Sequence, residues 1–427
     1  MAQVIHTLST WYETTVERAP LHSLVPNAVY DACVVGGGLA GLTTALELAR
    51  KGRSVILLEG RRIGSGASGR NGGFVSNGFA LGYGDLKRRI GEQAAQELFR
   101  LSRRGTEYIR QQISAHAPHL HMGAGMLLVT RHDDQGALQS YAASLQTELD
   151  EPVEFMPPQH LRFLLNTKRY FSAIRYARAF HIHPLGYCLL LASLARRAGA
   201  RVVEECRAVS VTATKTGFSI ATDQGAITAG CVVHYTSALD RTLHRPSGRA
   251  VLPVATYIAV TEPLDQQVIR TRAAIADTRR AGDYYRLVTE GRLLWGGKIT
   301  TRVTPPAQLA EVMRHDMVSV YPELSGVRMD YAWDGLMAYA IHKMPMIGRS
   351  KDGQWYATAF GGHGLNTTAM AGLLIAEAIA DGDDSFRRFA PFAPGLGMGP
   401  LGRLGVQGSY WWMQARDKWD ESRSRKP

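Results

Sequence analysis

The clearest pattern of apolar positions lies in the N-terminal part of the chain. Tyr30–Val35 is a short apolar run with β-branched residues, which predicts a buried strand. Leu42–Lys51 carries apolar residues at helical spacing, and Gly52 ends the predicted helix. Ser54–Leu58 is a second apolar run and predicts a second strand. The pattern therefore predicts a strand–helix–strand unit of an α/β fold.

Three glycines occupy the predicted turn from the first strand into the helix. Gly36, Gly38 and Gly41 form a G-x-G-x-x-G motif around Leu39 and Ala40. The first glycine allows a tight turn, the second lets a pyrophosphate approach the backbone, and the third lets helix and strand pack closely. Free N–H groups and the helix dipole favour an anion at this place. The motif predicts a dinucleotide site, and the alternative is a Gly-rich turn in an unrelated α/β protein.

An acidic residue follows the second strand of this unit. Glu59 lies 23 positions after Gly36. Its carboxylate can accept hydrogen bonds from both hydroxyls of a ribose, and it would repel a 2′-phosphate. The unit is therefore expected to bind the ADP part of FAD or NAD, and not NADP.

Apolar periodicity predicts further elements along the chain. Residues 85–120 are expected to be helical, and Met122–Thr130 is expected to form a strand. His183 precedes a proline that suits the first turn of a helix over Leu185–Arg197. Two alternating runs within residues 283–300 predict a hairpin. These elements supply a second layer of structure around the strand–helix–strand unit.

A second strand–glycine turn–helix pattern occurs nearer the C-terminal end. Trp355–Phe360 predicts a strand, Gly361–Gly364 a glycine turn, and Leu365–Asp381 a helix. The N-terminus of this helix is expected to point at an electron-rich group, because its free N–H groups favour negative charge.

Composition and charge narrow the class of protein. The 427 residues, 45% of them hydrophobic, leave room for two domains or for one large domain with insertions. The formal net charge is +12, but the basic residues are dispersed in short pairs. We therefore expect a solvated basic surface with an anion-binding pocket, and no nucleic-acid partner.

The four cysteines and the hydropathy of the chain exclude several other classes. Cys33, Cys188, Cys206 and Cys231 are scattered, so neither disulfides nor a zinc site are expected, and no other metal-ligand spacing occurs. No apolar run approaches the length of a membrane span. Residues 1–27 lack the apolar core of a signal peptide, which makes a cytoplasmic location the expectation.

A loop rich in glycine and serine follows Glu59 over Arg61–Gly84. A Gly-rich backbone with Ser68, Arg70 and Asn71 suits close approach to a flat, hydrogen-bonding ligand. The alternative is a linker between domains, which would be unusual directly after the second strand.

The segments VVGGGLAGL and LLEGRRIGSGASGRNGG together resemble the FAD-dependent D-amino acid oxidase-like superfamily, and in particular its γ-glutamylputrescine oxidase-like branch. The resemblance implies an α/β fold, with a Rossmann-like FAD-binding domain and an interleaved α+β substrate domain built mainly on an antiparallel sheet. The implied FAD domain comprises residues 30–84, 181–245 and 331–385. The implied substrate domain comprises residues 85–180 and 246–330, with a leader helix over 1–29 and a C-terminal extension over 386–427.

The resemblance also implies which residues bind FAD. They are Gly36, Gly38, Leu39, Ala40, Gly41, Glu59, Gly60, Arg61, Gly66, Ala67, Ser68, Arg70, Asn71, Gly72, Gly73, Val209, Gly361, Gly362, His363, Gly364, Leu365 and Asn366. Some relatives attach flavin through a cysteine in the closing segment or a histidine near the glycine loop. This chain has no cysteine in that segment and Arg70 in the loop, so non-covalent FAD is expected.

Four residues are candidates for catalysis. Tyr285 and Arg286 lie on a strand that the family turns toward the flavin, where a guanidinium could clamp a carboxylate; the alternative is a structural Arg. His363 could contact the flavin or move a proton, unless only the amides of its turn matter. Lys298 could promote reaction with oxygen, unless it is solvated. Tyr284 alternates with Tyr285, so only one of them can face the pocket.

The resemblance implies that the cofactor carries the chemistry. The expected reaction is oxidation of the C–N bond of an amine or amino acid by hydride transfer to flavin N5. The imine would hydrolyse to a carbonyl compound and an amine or ammonia, with H₂O₂ formed if oxygen is the acceptor. Alternatives are a dehydrogenase that passes electrons to a quinone or carrier protein, a non-catalytic FAD protein, and an NAD enzyme.

Overall fold

The computed structural model describes residues 10–265, 267–279, 282–395 and 399–424. Within these residues the chain forms two β-sheets with helices packed against them. The strands are β1 Val29–Val35, β2 Val55–Leu58, β3 Phe74–Val75, β4 His121–Thr130, β5 Val153–Met156, β6 Ser172–Ile182, β7 Arg201–Val203, β8 Ala208–Thr214, β9 Gly217–Thr222, β10 Gly225–His234, β11 Leu252–Thr261, β12 Ala274–Asp277, β13 Tyr284–Leu287, β14 Leu293–Thr300, β15 Met329–Tyr339, β16 Met346–Arg349 and β17 Trp355–Thr358. The α-helices are α1 Leu39–Arg50, α2 Ala67–Arg70, α3 Tyr83–Ile90, α4 Glu92–His116, α5 Gln135–Leu149, α6 Pro158–Leu165, α7 Pro184–Arg197, α8 Arg245–Ala250, α9 Leu309–Val320, α10 Gly364–Asp381 and α11 Gly399–Ser424.

The first sheet contains the predicted strand–helix–strand unit. Its strand order is β16-β17-β10-β1-β2-β7, and β9 pairs with β10 while β8 pairs with β9. The central strands β17, β10, β1, β2 and β7 are parallel. Helices α1, α7 and α10 pack together on one face, and the β8–β9 hairpin covers part of the other. Burial on both faces explains why β1 and β2 are apolar without alternation.

The second sheet is the larger one. Its order is β15-β11-β14-β13-β12-β4-β6-β3, with β5 beside β6. Every pair in it is antiparallel except β4 with β12. A Rossmann-like sheet joined to a mainly antiparallel one confirms the predicted fold class.

The boundaries between the two sheets differ from the predicted domain limits. The short strand β3 pairs with β6, and β15 pairs with β11 along its length, so both belong to the second sheet. Residues 74–75 and 331–339 were assigned to the FAD domain, whereas the structure pairs them with strands of the second sheet. Pairing of strands that are distant in sequence decided the boundary, and apolar periodicity does not report such pairing.

Two predicted helices also differ from the structure. The helix predicted over 85–120 is interrupted at Gly91, whose φ of +85° separates α3 from α4. The described part of the leader is a single 3₁₀ turn, Trp11–Thr15, with both of its aromatic side chains buried. The remainder of that prediction, residues 1–9, lies outside the described residues. The C-terminal extension forms a 3₁₀ helix, Ser385–Phe392, followed by α11.

In the described part of the chain, no helix is both long and apolar enough to cross a membrane. Those same residues contain no group of three or more His, Cys, Asp or Glu side chains that could hold a metal ion. The four thiols are unpaired, and burial raises the pKa of Cys188 to about 12 and that of Cys231 to about 11.

Candidate active site

Two connected cavities lie at the carboxyl ends of the parallel strands, where ligands bind in open α/β sheets. The smaller cavity has a volume of about 350 Å³ and the larger about 650 Å³. The residues that line both are Gly38, Ala67, Ser68, Tyr235 and Ser237. The shared lining makes them one elongated site that runs from the first sheet to the second.

The predicted cofactor residues are distributed over both cavities. Those that line the smaller cavity are Gly36, Gly38, Glu59, Gly60, Arg61, Gly66, Ala67 and Ser68. Those that line the larger one are Gly38, Leu39, Ala40, Ala67, Ser68, Arg70, Asn71, Gly72, Gly361, Gly362, His363, Gly364 and Leu365. The predicted site residues that line neither are Gly41, Gly73, Val209, Asn366, Tyr285, Arg286 and Lys298.

The first glycine turn has the geometry that its sequence predicts. Gly36 adopts φ +115°, a region that residues with a Cβ rarely enter. A Cβ on Gly38 would stand 2.9 Å from the Ser68 hydroxyl, and one on Gly41 would stand 2.1 Å from the carbonyl oxygen of Gly36. Gly41 therefore keeps α1 against β1 and does not line the cavity. The backbone N–H of Leu39 donates to Ser68 Oγ at 3.1 Å, which ties the turn to α2.

The Glu59 carboxylate lies at the end of the smaller cavity. Its Oε2 accepts from the Gly37 N–H at 2.6 Å, and its Oε1 accepts from the Arg61 N–H at 2.8 Å. Each oxygen keeps lone pairs for further donors such as ribose hydroxyls. Burial raises the pKa of this carboxyl above its usual value, and the two backbone N–H groups act in the opposite direction.

Val209, which was assigned to the cofactor site, is 56% exposed and lines neither cavity, so the structure does not place its side chain in the site. Arg207 and Ala208 line the smaller cavity in its place. A register irregularity between β8 and β9 at Ala208 and Ser210 shifts this edge, and the sequence pattern does not reveal it.

Three consecutive carbonyl groups of the glycine loop are held by buried side chains from three other elements. The Arg70 carbonyl accepts from Trp333 Nε1 at 2.9 Å, and the Asn71 carbonyl accepts from the Tyr12 hydroxyl at 2.9 Å. The Gly72 carbonyl accepts from Arg286 Nε at 2.6 Å. We call these three donors the carbonyl clamp. With its carbonyls bound on one side, the loop presents its other side to the larger cavity.

Arg286 belongs to this clamp and does not face the larger cavity. Beyond Gly72, its Nη1 donates to Met122 Sδ and His181 Nδ1, both at 3.1 Å. Its Nη2 donates to the Ile182 carbonyl at 3.0 Å and to the Tyr12 hydroxyl at 3.2 Å. All five N–H groups of the guanidinium are thus used. The prediction that Arg286 clamps a substrate carboxylate is wrong, because no donor remains.

His181 completes the surroundings of Arg286. Burial and the neighbouring guanidinium lower the pKa of His181 to about 3, so the ring is neutral. The neutral ring accepts from Arg286 at Nδ1 and donates from Nε2 to the Arg272 carbonyl at 2.7 Å. Among the described residues, no carboxylate forms an ion pair with Arg286. The buried guanidinium is instead solvated by neutral acceptors.

Two further catalytic candidates point away from the larger cavity. Tyr285 is fully buried, stacks on Trp295 with ring centroids 4.3 Å apart, and packs in the core on the other face of the second sheet. Tyr284 is the member of the pair that lines the cavity. Lys298 forms an ion pair with Asp316 on α9 at 3.1 Å, with its side chain 42% exposed. Both predictions are wrong. Strand alternation directs Tyr285 to the core face, whereas Lys298 reaches that face through a strand irregularity at which it adopts φ +57°.

Gly73 and Asn366 support the site without lining it. A Cβ on Gly73 would stand 2.2 Å from the Ile182 carbonyl oxygen, so this glycine lets the loop approach β6. The Asn366 side chain donates to the Gly78 carbonyl at 3.0 Å and is buried. Both residues fix the cavity wall, and neither has a free polar group directed into the cavity.

The second glycine turn brings the N-terminus of α10 to the larger cavity. His363 precedes this helix, and its Nε2 lies 3.1 Å from the Asn77 carbonyl and 3.0 Å from Ser76 Oγ. Burial lowers the pKa of His363, so the ring is neutral and Nε2 is its donor toward Asn77. First-turn N–H groups of a helix lack helical acceptors and favour negative charge.

Sequence reasoning missed Tyr235 and Ser237, which line both cavities. They follow β10, the strand beside β1, at the carboxyl edge where the glycine turn also lies. The transition from the apolar run Cys231–His234 to polar residues was the available signal.

The far end of the larger cavity lies against the second sheet. Its polar lining is dominated by tyrosines, and burial raises the pKa of each of them, so they are neutral donors. They are Tyr83, Tyr141, Tyr176 and Tyr284. Among the described lining residues, the charged ones are Arg70, Glu151 and Asp277. Glu151 pairs with Arg103 and Asp277 with Arg279, while Arg70 donates to Asp334.

The elongated site fits FAD on its own geometry. The glycine turn leaves space where a side chain would collide, next to a helix N-terminus that suits a pyrophosphate. A ribose-binding carboxylate stands at one end. A flat loop and a second helix N-terminus flank the larger cavity at the other end. A site for NAD alone would leave the second helix N-terminus and the loop without a partner.

Comparisons with known proteins agree with this assignment. The family model described as FAD dependent oxidoreductase (DAO) matches residues 31–378. The gamma-glutamylputrescine oxidoreductase of Escherichia coli is 30% identical over 391 residues, which cover 90% of this chain and 92% of that protein. A probable oxidoreductase, OrdL, of Haemophilus influenzae is 31% identical over 371 residues, which cover 84% of this chain and 85% of that protein.

Solved structures show the same fold. Glycine oxidase from Geobacillus kaustophilus superposes with a TM-score of 0.72 at 20% identity, covering 86% of this chain and 99% of that one. L-proline dehydrogenase from P. horikoshii gives a TM-score of 0.71 at 20% identity, covering 87% and 100%. The match over most of the chain, together with the glycine turns and the ribose-binding carboxylate, shows that this protein belongs to the DAO family of FAD-dependent oxidoreductases.

Proposed function

We propose that this protein oxidises the C–N bond of an amine whose reacting end carries no carboxylate. The observation that carries the proposal is the lining of the larger cavity. It contains neutral tyrosines, two carboxylates that pair with Arg103 and Arg279, and one guanidinium that is already bound to Asp334, so no guanidinium of the described lining is left for a substrate carboxylate. A cationic or neutral amine suits such a lining better than an amino-acid carboxylate does. The similarity to gamma-glutamylputrescine oxidoreductase supports an amine as the substrate class.

The roles open to the charged residues change once Arg286 is placed in the carbonyl clamp. The basic balance of the chain and Arg286 had favoured a substrate with a carboxylate. With Arg286 fully engaged, Arg70 is the guanidinium that lines the larger cavity, and its Nε and Nη2 donate to Asp334. The aromatic lining then supports an aliphatic or aromatic amine as the substrate.

The residues of the chain position the reactants and shield them from water. FAD, when bound, supplies the acceptor at its N5 for the hydride that leaves the substrate carbon. Tyr284, Met126 and Leu128 of the second sheet line the larger cavity and would exclude water from a substrate bound there. As the hydride leaves, the lone pair of the neutral amine nitrogen forms the second bond of the C=N group, and water then hydrolyses the imine to a carbonyl compound and an amine or ammonia. The α10 N-terminus favours negative charge at the edge of the larger cavity.

An anaerobic absorbance titration tests this function. The purified protein is titrated with monoamines, diamines, γ-glutamyl amines and amino acids while the oxidised flavin band is followed. We expect an amine without a neighbouring carboxylate to bleach the band. Bleaching by α-amino acids alone would contradict the proposal. Admission of air then separates the acceptors, since rapid return of the band indicates oxygen and slow return indicates a quinone or carrier protein.

The pH dependence of turnover should follow the substrate and not the protein. Only a neutral amine has the electron pair that expels a hydride, and His363, the imidazole at the cavity, is already neutral because burial lowers its pKa. We therefore expect kcat/KM to rise with pH until the free amine is deprotonated. Two substrates whose amines differ in pKa should give rising limbs displaced by the same difference. A limb that stays in place for both substrates, or moves in His363→Gln, would indicate a titrating group of the protein.

Glu59→Gln should weaken FAD binding. The change keeps the shape of the side chain but removes the charge that accepts from ribose hydroxyls, and a hydrogen bond to a charged group contributes about 1.5–3 kcal/mol. The FAD dissociation constant should therefore rise about 10- to 100-fold, measured by fluorescence titration of the apoprotein.

The wild-type protein should also lose FAD affinity on acidification. Because burial raises the pKa of Glu59, protonation begins at a higher pH than for an ordinary glutamate, and affinity falls as pH decreases through that range. Glu59→Gln serves as the control, and its affinity should show no such fall. If FAD affinity depended on pH in the same way in both proteins, Glu59 would not be the group that binds the ribose.

A further inference from the structure

The C-terminal helix α11 carries an exposed aromatic face that the site does not use. Trp411, Trp412 and Trp419 on this helix are 64%, 64% and 58% exposed. Positions 411, 415 and 419 repeat at four-residue spacing, and position 412 lies beside them, so the three rings share one side of the helix. Exposed tryptophans grouped in this way mark an interaction surface.

Other residues of α11 fix the helix to the body of the protein. Gln407 Oε1 accepts from the Thr300 and Thr301 hydroxyls and from the Thr301 N–H at 2.9–3.2 Å. Glu421 forms an ion pair with Arg169 at 2.8 Å, and Ser424 Oγ accepts from the Asp133 N–H at 3.1 Å. These contacts lie near both ends of the described side chains of α11. The helix is therefore held with its tryptophan side outward.

Charge is sorted across the same helix. The basic residues Arg416, Lys418 and Arg423 are exposed beside the tryptophans. The acidic residues of this part of the helix, Asp417, Asp420 and Glu421, are half-buried or buried. Arg416 lies over the Trp412 ring at 5.9 Å and Arg423 over the Trp419 ring at 4.8 Å. The outward side thus combines apolar rings with positive charge.

We propose that this tryptophan face docks the protein on the surface of an anionic lipid bilayer. A convex helix with tryptophans flanked by arginine and lysine matches helices that lie in the plane of the membrane interface. Tryptophan rings suit that zone because they are apolar with one N–H donor. The formal net charge of +12 adds attraction to anionic headgroups. The same charge opposes pairing of two copies through this face, since like net charges repel.

Vesicle flotation tests the proposal on the full chain with FAD bound. Wild-type protein should float with vesicles of phosphatidylcholine mixed with phosphatidylglycerol, and float less with phosphatidylcholine alone. The triple variant W411A/W412A/W419A should lower the bound fraction at least about tenfold, because each ring loses apolar burial in the interface. The double variant R416E/R423E should lower binding to the mixed vesicles and leave the weak binding to phosphatidylcholine unchanged.

A matched variant controls for loss of exposed apolar surface in general. Val29, Phe163 and Ile341 are exposed apolar residues elsewhere on the protein, and V29A/F163A/I341A should float as the wild type does. FAD absorbance and the thermal transition show that each variant is folded. Failure of the wild type to float, or equal flotation of the tryptophan variant, would overturn the proposal. The proposal would also be overturned if light scattering showed a dimer for the wild type and a monomer for the tryptophan variant, because the face would then join two copies.

Discussion

Arg286→Met should weaken FAD binding without a direct effect on substrate binding. The change removes the donors of the Gly72 and Ile182 carbonyls and of the Tyr12 hydroxyl. Each buried acceptor left without a donor costs about 1–3 kcal/mol. The loop that borders the larger cavity would lose one of its three carbonyl contacts. We expect the FAD dissociation constant to rise at least about tenfold, together with a lower Tm of the apoprotein.

Two measurements distinguish this role from substrate binding. The FAD content after dialysis measures how well the glycine loop holds the cofactor. The KM at saturating FAD measures how well the protein binds its substrate. Arg286→Lys keeps the charge but supplies three donors in place of five, so it should retain more FAD than Arg286→Met and less than the wild type. Full FAD content together with a sharply raised KM in the variant would show that Arg286 binds the substrate and does not hold the loop. Tyr12→Phe and Trp333→Phe, which remove single donors of the carbonyl clamp, should lower FAD content in the same direction by smaller amounts.

Gly41→Ala should abolish FAD binding by separating α1 from β1. The new Cβ would stand 2.1 Å from the carbonyl oxygen of Gly36 and 3.3 Å from the Val34 side chain. Because the nearest obstacle is backbone, no side-chain rotation relieves it, and overpacking of this kind costs about 1–3 kcal/mol or more. The displaced turn would no longer hold its N–H groups toward a pyrophosphate. Titration of the apoprotein with FAD, followed by flavin fluorescence, measures the loss.

Gly326→Ala is the matched control for this change. A Cβ at Gly326 meets no atom within 4 Å, so the substitution should leave both FAD affinity and Tm near the wild-type values. Wild-type FAD affinity in Gly41→Ala would show that α1 can move without cost, and the packing argument would then be wrong.

The strand–helix–strand unit shows what local sequence can predict. Its glycines act through the space beside their own backbone, and Glu59 acts at the end of a strand adjacent to β1 in the sheet. The Gly37 N–H and the Glu59 carboxylate that it binds lie 22 positions apart within this one unit, so spacing alone places them. The second glycine turn before α10 was predictable for the same reason.

The residues of the second sheet show where that reasoning ends. Tyr285, Arg286 and Lys298 were placed near the cofactor from the strand on which they lie. Which face of a strand meets the cavity depends on pairing with strands far away in sequence, such as β12 with β4, which pairs Ile275 with Leu127. Alternation gives two faces but does not say which is inward when both are buried. Arg286 illustrates this, because five acceptors from four distant segments surround it.

The sequence by itself determined the family, the cofactor class and the two glycine turns, because each depends on short-range spacing and on residue types that few other structures require. Tertiary structure alone decided the domain boundary at β15, the carbonyl clamp, the exchange of Tyr285 for Tyr284 at the larger cavity, and the outward side of α11. Each of these follows from contacts between segments far apart in the sequence or from which side of an element is covered. Such contacts are set by the free energy of packing the whole chain, and no local pattern records them.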